Sequence, residues 1–219
     1  MKTRSIKTLY LMFALLAFGV CSAFSETSMG ISLGENMHWN DGGLYNAHGI
    51  TIQCDYSAEN FGIIPFFTFS FTVNKGSELK DNVVSYNYTL TSFVESIGVK
   101  PYYMFRKTEN STSYVGIIFS LGFIQDDCTV TSTPTNVILW KDSYMYSGLG
   151  LFLGNRWNVS DKMIIFTECD LASRLFTSCL TYEYSQKEVE HYQNEMFGGG
   201  GTRSWSVNIT PRLGIAYRL

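Results

Sequence analysis

The stretch Trp205-Ser-Val-Asn-Ile-Thr-Pro-Arg-Leu-Gly-Ile-Ala-Tyr-Arg-Leu219 alternates from end to end. Trp205, Val207, Ile209, Pro211, Leu213, Ile215, Tyr217 and Leu219 share one parity, and Ser206, Asn208, Thr210, Arg212, Gly214, Ala216 and Arg218 share the other. Successive side chains of an extended strand point to opposite faces, so period two describes a strand between two different environments. By itself this pattern fits the edge of any β-sandwich.

Seven further segments carry the same pattern. Their apolar parities run Met29 to Leu33, Ile50 to Tyr56, Pro65 to Val73, Phe93 to Phe105, Val115 to Phe123, Leu149 to Trp157 and Met163 to Leu171. The connections between segments sort by length. Ala58 to Phe61, Lys107 to Thr112 and Asn158 to Asp161 are tight turns, whereas Trp39 to His48, Asn74 to Asn87, Gln125 to Asp142 and Thr177 to Arg203 are longer and polar. A soluble sandwich has no reason to place short turns at one end and long loops at the other; an outer-membrane barrel does. The expected fold is all-β, an eight-stranded antiparallel up-and-down transmembrane β-barrel.

The N-terminus agrees with export. Lys2, Arg4 and Lys7 precede an apolar run from Leu9 to Val20 and small residues at Ser22 and Ala23. That is the layout of a cleaved secretory signal peptide, and the run is too short for a spanning helix. Residues 1–23 are therefore expected to be the signal and residues 24–219 the barrel domain. A lipidated Cys21 is the alternative, with the bulky Val20 standing against it. Removing Lys2, Arg4 and Lys7 leaves 13 basic against 19 acidic residues, which argues against nucleic acid as a partner. Aromatic residues make up 16% of the chain and charged residues also 16%, yet no later stretch approaches the length of a membrane helix. Any crossing of a membrane must use strands.

In a water-soluble β-protein the apolar parity would face a core. Here the polar parity is rich in Gly, Ser, Thr and Ala, which suits a crowded barrel interior, while the apolar parity carries long and aromatic side chains suited to lipid. Pro65, Pro101 and Pro211 fall on the outward parity, where bulges or broken ladder bonds are expected because proline lacks a donor. Tyr56, Tyr103, Phe105, Trp157 and Tyr217 lie outward near short turns or the C-terminus and form an expected lower aromatic girdle, with Trp205 in the upper one. Glu95 is outward by parity and fits this scheme least.

The inward parity holds Asp55, Lys100, Glu168, Asp170, Arg174, Arg212 and Arg218, an expected lumen charge network. Glu168 and Arg212 come out at similar depth and are expected to pair. Such a network most simply plugs and stabilises the barrel, the other reading being a selectivity or transport role. Cys128 and Cys179 fall in expected loops, so they are the expected pair if a disulfide forms, with unpaired thiols as the alternative. No CxxC spacing points to a metal.

With these residues in view, the chain resembles the small eight-stranded outer-membrane proteins of the OmpX, OmpW and OmpA-barrel type. The ending Ile209-Thr-Pro-Arg-Leu-Gly-Ile-Ala-Tyr-Arg-Leu219 is similar to their C-terminal assembly signal, carried here by Leu213, Ile215, Tyr217 and Leu219. The resemblance implies recognition by the barrel-assembly machinery. That family usually ends on Phe; this chain ends on Leu219, with Tyr217 supplying an aromatic on the same face.

Catalytic residues are not apparent. His38, His48 and His191 sit in or beside the long connections, without the His-x-Ser arrangement that a lipid A deacylase of this shape would need. Gly198 to Gly201 opens no helix and is followed by no Lys-Ser/Thr, so it is no phosphate cradle. The expectation is a non-enzymatic, monomeric outer-membrane barrel without cofactor or metal, in contact with outer-membrane lipid. Its long loops are expected to meet an extracellular ligand or host surface. A narrow pore or lateral-release channel for small or hydrophobic molecules, and a soluble periplasmic ligand-binding barrel, are the alternatives.

Overall fold

Eight strands follow one another along the chain: β1 (Glu26–Asn40), β2 (Gly43–Ala58), β3 (Phe61–Lys80), β4 (Val83–Lys107), β5 (Ser111–Ser132), β6 (Asn136–Asn158), β7 (Met163–Tyr184) and β8 (Trp205–Arg218). Each pairs antiparallel with its neighbours, and β8 returns to β1 to close the barrel. The structure, a computed structural model, describes residues 26–40, 43–80, 83–132, 136–184 and 205–219. The expected signal peptide lies outside the described residues.

The register fixes the geometry of the closure. Glu26, Ser57, Gly62, Tyr102, Gly116, Phe152, Asp170 and Thr210 are successive cross-strand partners. Thr210 donates to the Asn36 side chain, between the Arg212–Gly34 and Ile209–Met37 pairs. One circuit therefore returns to β1 ten residues above its start, from Glu26 to Asn36. Eight strands with that stagger tilt by about 40° and leave an interior that side chains fill.

The two faces are inverted relative to a soluble barrel. Leu33, Leu151 and Leu213 on the outside are each about three-fifths exposed, whereas Phe152 and Phe166 on the inside are almost completely buried. Six inward aromatic rings each stand opposite a glycine of the adjacent strand: Tyr102–Gly62, Phe66–Gly98, Tyr114–Gly154, Tyr146–Gly122, Phe152–Gly116 and Phe166–Gly214. A methyl group on any of these glycines would overlap the facing ring. Small and large side chains thus share these six inward pairs, and this is how a narrow lumen is packed.

The prolines interrupt ladders without shifting them. Pairing skips Cys54–Pro65 between β2 and β3, Pro101–Ile117 between β4 and β5, and Glu35–Pro211 between β1 and β8, and resumes each time in the same register. Of the two expected outcomes, broken ladders occur and bulges do not, because proline removes a donor without adding a residue. The bulges fall elsewhere, at Met104/Arg106, Glu78/Leu79, Ser143/Tyr144 and Met145/Tyr146.

Three of the four long connections need correction, and most of the fourth, residues 185–203, lies outside the described residues. Strands β3 and β4 run up to Lys80 and Val83, β5 and β6 to Ser132 and Asn136, and β1 and β2 to Asn40 and Gly43. These three segments are mostly strand; the alternation continues in them but changes phase, as in Val84, Tyr86, Tyr88 and Leu90 against Phe93 and Ile97, and Thr, Val and Tyr favour the extended chain. The short turns are as tight as expected. Ala58 pairs with Phe61 across a two-residue turn in which Glu59 takes a left-handed φ of 50°.

Candidate functional site: the charged lumen

Alternation along β4 and β7 aims Lys100, Glu168 and Asp170 inward from well-separated strands, and the Lys100 side chain crosses the lumen to reach them. Its Nζ lies 2.6 Å from Glu168 Oε2 and 2.9 Å from Asp170 Oδ1, with Lys100 and Glu168 fully buried. Asp170 Oδ2 is 3.0 Å from Arg212 Nη2, and Arg212 Nη1 donates to the hydroxyls of Thr51 and Thr68. Glu168 Oε1 also accepts from the Tyr114 hydroxyl at 3.1 Å and from Gln53 Nε2 at 3.4 Å. The rings of Phe66 and Phe152 lie 5.3 and 5.0 Å from the ammonium. Two cations and two carboxylates alternate, so this network of four is electrically neutral.

A second network lies nearer the short turns. Arg156 on β6 reaches Asp55 on β2, the opposite wall, and forms an ion pair with it. Asp55 Oδ1 accepts from the Tyr102 hydroxyl at 2.6 Å, and Arg156 also donates to that hydroxyl and to Met104 Sδ. The Arg156 guanidinium stands 5.9 and 5.8 Å from the rings of Tyr102 and Tyr114. Tyr114 belongs to both networks, since its hydroxyl serves Glu168 while its ring packs on Tyr102 at 5.0 Å and on Phe152 at 5.9 Å.

The expected Glu168–Arg212 ion pair is not formed. The two are direct register partners, as depth indicated, but Lys100 takes Glu168 and Arg212 takes Asp170. A long lysine crossing the lumen sees both carboxylates at once, and cross-strand position alone does not reveal that competition. Arg218 is not part of the lumen network either. It binds the Asp161 carbonyl and Asn158 Oδ1, tying the last strand to the β6–β7 turn. Arg174 stacks over Tyr146 at 4.7 Å. Arg156, Tyr102, Tyr114 and Gln53 belong to the site and were missed. All four sit on the inward parity of their segments, which was the available signal.

On the outer wall Tyr103, Phe105, Trp157, Trp205 and Tyr217 are exposed. Tyr56 has outward parity but is only 3% exposed, so it offers no surface to a girdle. Leu213, Ile215, Tyr217 and Leu219 also lie exposed on the outer wall, and the Leu219 amide donates to the Thr27 carbonyl. The disulfide expectation is corrected by the backbone. Cys128 and Cys179 lie in strands, not loops, and β6 runs between them, with Cys128 opposite Trp140 and Cys179 opposite Tyr144. Two inter-strand steps of about 4.8 Å plus a four-residue offset exceed the roughly 7 Å that a disulfide spans. Their side chains, like those of His38 and His191, lie outside the described residues.

No protein-family model matches the chain, and no curated protein does. Among solved structures, it is similar to Ail, the attachment invasion locus protein of Yersinia pestis. The TM-score is 0.45 at 16% identity, covering 89% of this chain and 98% of Ail. A major outer membrane protein from Thermus thermophilus gives a TM-score of 0.48 at 12% identity, over 88% of this chain and 99% of that one. Neisserial surface protein A gives 0.45 at 12% identity, over 88% and 97%. With its closed ring of eight antiparallel strands and its apolar side chains outward, the chain resembles in architecture the small eight-stranded outer-membrane β-barrels.

Proposed function

We propose that this protein is a non-enzymatic bacterial outer-membrane barrel with a closed lumen, acting through the strands and loops that project beyond the long-connection end. The observation that carries the reading is the pair of neutral charge networks spanning the lumen, Lys100 to Glu168 and Asp170, and Arg156 to Asp55. Two spaces at the Asp55–Arg156 network are each about 10 Å³, barely room for one water. A conduit would need a continuous aqueous path, and bulky rings at Phe66, Tyr114 and Phe152 compete for that space. The hairpins at that end are where an extracellular ligand or host surface would be met.

Planar-bilayer recording on the refolded protein tests the closed lumen. Silence is expected, and reproducible single-channel steps would overturn it. Protease treatment of intact cells tests the surface role, with cleavage between residues 185 and 204 expected and full protection the contrary result.

A further inference from the structure

One inward pair between β1 and β8 is small on both sides, because Gly30 faces Ala216. A cavity of about 10 Å³ lies beside this pair, bounded also by Gln53, Asp55, Tyr114 and Arg156. A second cavity of about 10 Å³ lies next to it toward the short turns, where Glu26, Ser57 and Arg218 bound it. Ser28, Asp55, Arg156 and Ile164 line both. The two cavities therefore form a file that runs inside the lumen from Glu26, exposed at the short-turn mouth, up to Gln53.

Gln53, at the top of the file, is only 5% exposed. Its Nε2 donates to Glu168 Oε1 at 3.4 Å, and this contact with a carboxylate decides which end of the amide is the donor. The other end, Oε1, takes no hydrogen bond from any described residue. A buried acceptor without a donor is rare in a folded protein, and buried water commonly supplies the partner. Volume sets the size of what fits, since about 10 Å³ holds roughly one water molecule. Charge sets its kind. Asp55 and Arg156 cancel on the walls of both cavities, and Glu26 and Arg218 cancel on the lower one, so the file favours a neutral hydrogen-bonding molecule over an ion.

We infer that this file binds two water molecules, one in each cavity, and that the upper one donates to Gln53 Oε1. The file stops below Lys100, whose ammonium is held by Glu168 and Asp170 and flanked by the rings of Phe66 and Phe152. Water thus enters the closed lumen from the short-turn end as far as Gln53, and the fully buried Glu168 stands one side chain away from it. The inference rests on the closed-lumen reading above, since a conduit would carry water past Lys100.

The test is a crystal structure of the full chain at a resolution that shows ordered water, with radiolytic hydroxyl-radical footprinting in detergent micelles as its counterpart in solution. The radicals are made from water itself, so a buried ring gains oxygen only where water is bound beside it. Density for two waters is expected, the upper one within hydrogen-bonding distance of Gln53 Oε1. Tyr114, which lines the upper cavity, should gain oxygen, while Phe152, equally buried and lining neither cavity, should not. Ser28→Val, which fills both cavities, should abolish the Tyr114 label. Gln53→Leu, which keeps the shape and removes the acceptor, should lose the upper water and the label and keep the lower water. Each variant is first checked for heat-modifiable gel mobility, the sign of a folded barrel. An upper cavity without water density, a Gln53 carbonyl bonded to a protein donor, or a Tyr114 label unchanged in both variants would overturn the inference. Single-channel steps in a planar bilayer, with both waters in place, would overturn the closed lumen instead.

Discussion

Glu168 and Arg212 face each other across β7 and β8, yet Glu168 is bonded to Lys100 on β4 and Arg212 to Asp170 two residues along β7. The lumen is thereby tied across its width, not only between neighbouring strands. Replacing a neutral buried network by apolar side chains can be harmless, but removing one partner leaves a charge uncompensated.

Lys100 is the shared cation, so Lys100→Met should destabilise the barrel by about 3–5 kcal/mol, leaving Glu168 without its cation and Arg212 alone to offset two buried carboxylates. Urea unfolding in detergent micelles, followed by loss of heat-modifiable mobility, measures it. A loss below about 1 kcal/mol would remove Lys100 from the centre of the network.

The exchange of partners is itself testable by double-mutant cycles. The Lys100→Met and Glu168→Gln pair should couple by more than about 1 kcal/mol, and the Glu168→Gln and Arg212→Ala pair by clearly less. The reverse order would restore the cross-strand pair.

Aromatic rings opposite glycines leave no room for a methyl group. Gly122→Ala, whose added methyl group would have its three nearest neighbours all in the Tyr146 side chain, should cost about 1–3 kcal/mol by overpacking. Tyr146→Leu in the same chain should recover part of that loss. Additive losses in the unfolding curves would show that the two positions do not share one space.

With β6 between them, Cys128 and Cys179 should both be thiols. Denatured under non-reducing conditions, the oxidised-compartment protein should take up maleimide at both positions, as read by peptide mass spectrometry. Protection of the pair until a reductant is added would contradict the register of β5 to β7.

The period-two pattern determined the strand count, the closure into a barrel and which side chains point inward. Alternation is a local property of the extended backbone, and one inserted residue would have exchanged the faces. It also placed Glu168 and Arg212 at one level, which the register repeats. The extension of the strands was not read, because the alternation there changes phase: Val84, Tyr86, Tyr88 and Leu90 fall on the parity opposite to Phe93 and Ile97.

Only the tertiary structure decided the partners inside the lumen. Lys100 to Glu168 and Arg156 to Asp55 span opposite walls, and which walls stand opposite depends on the stagger of ten residues accumulated around the ring. Side-chain direction is set residue by residue along a strand, but the neighbour met across a lumen is set by closure, a property of all eight strands together.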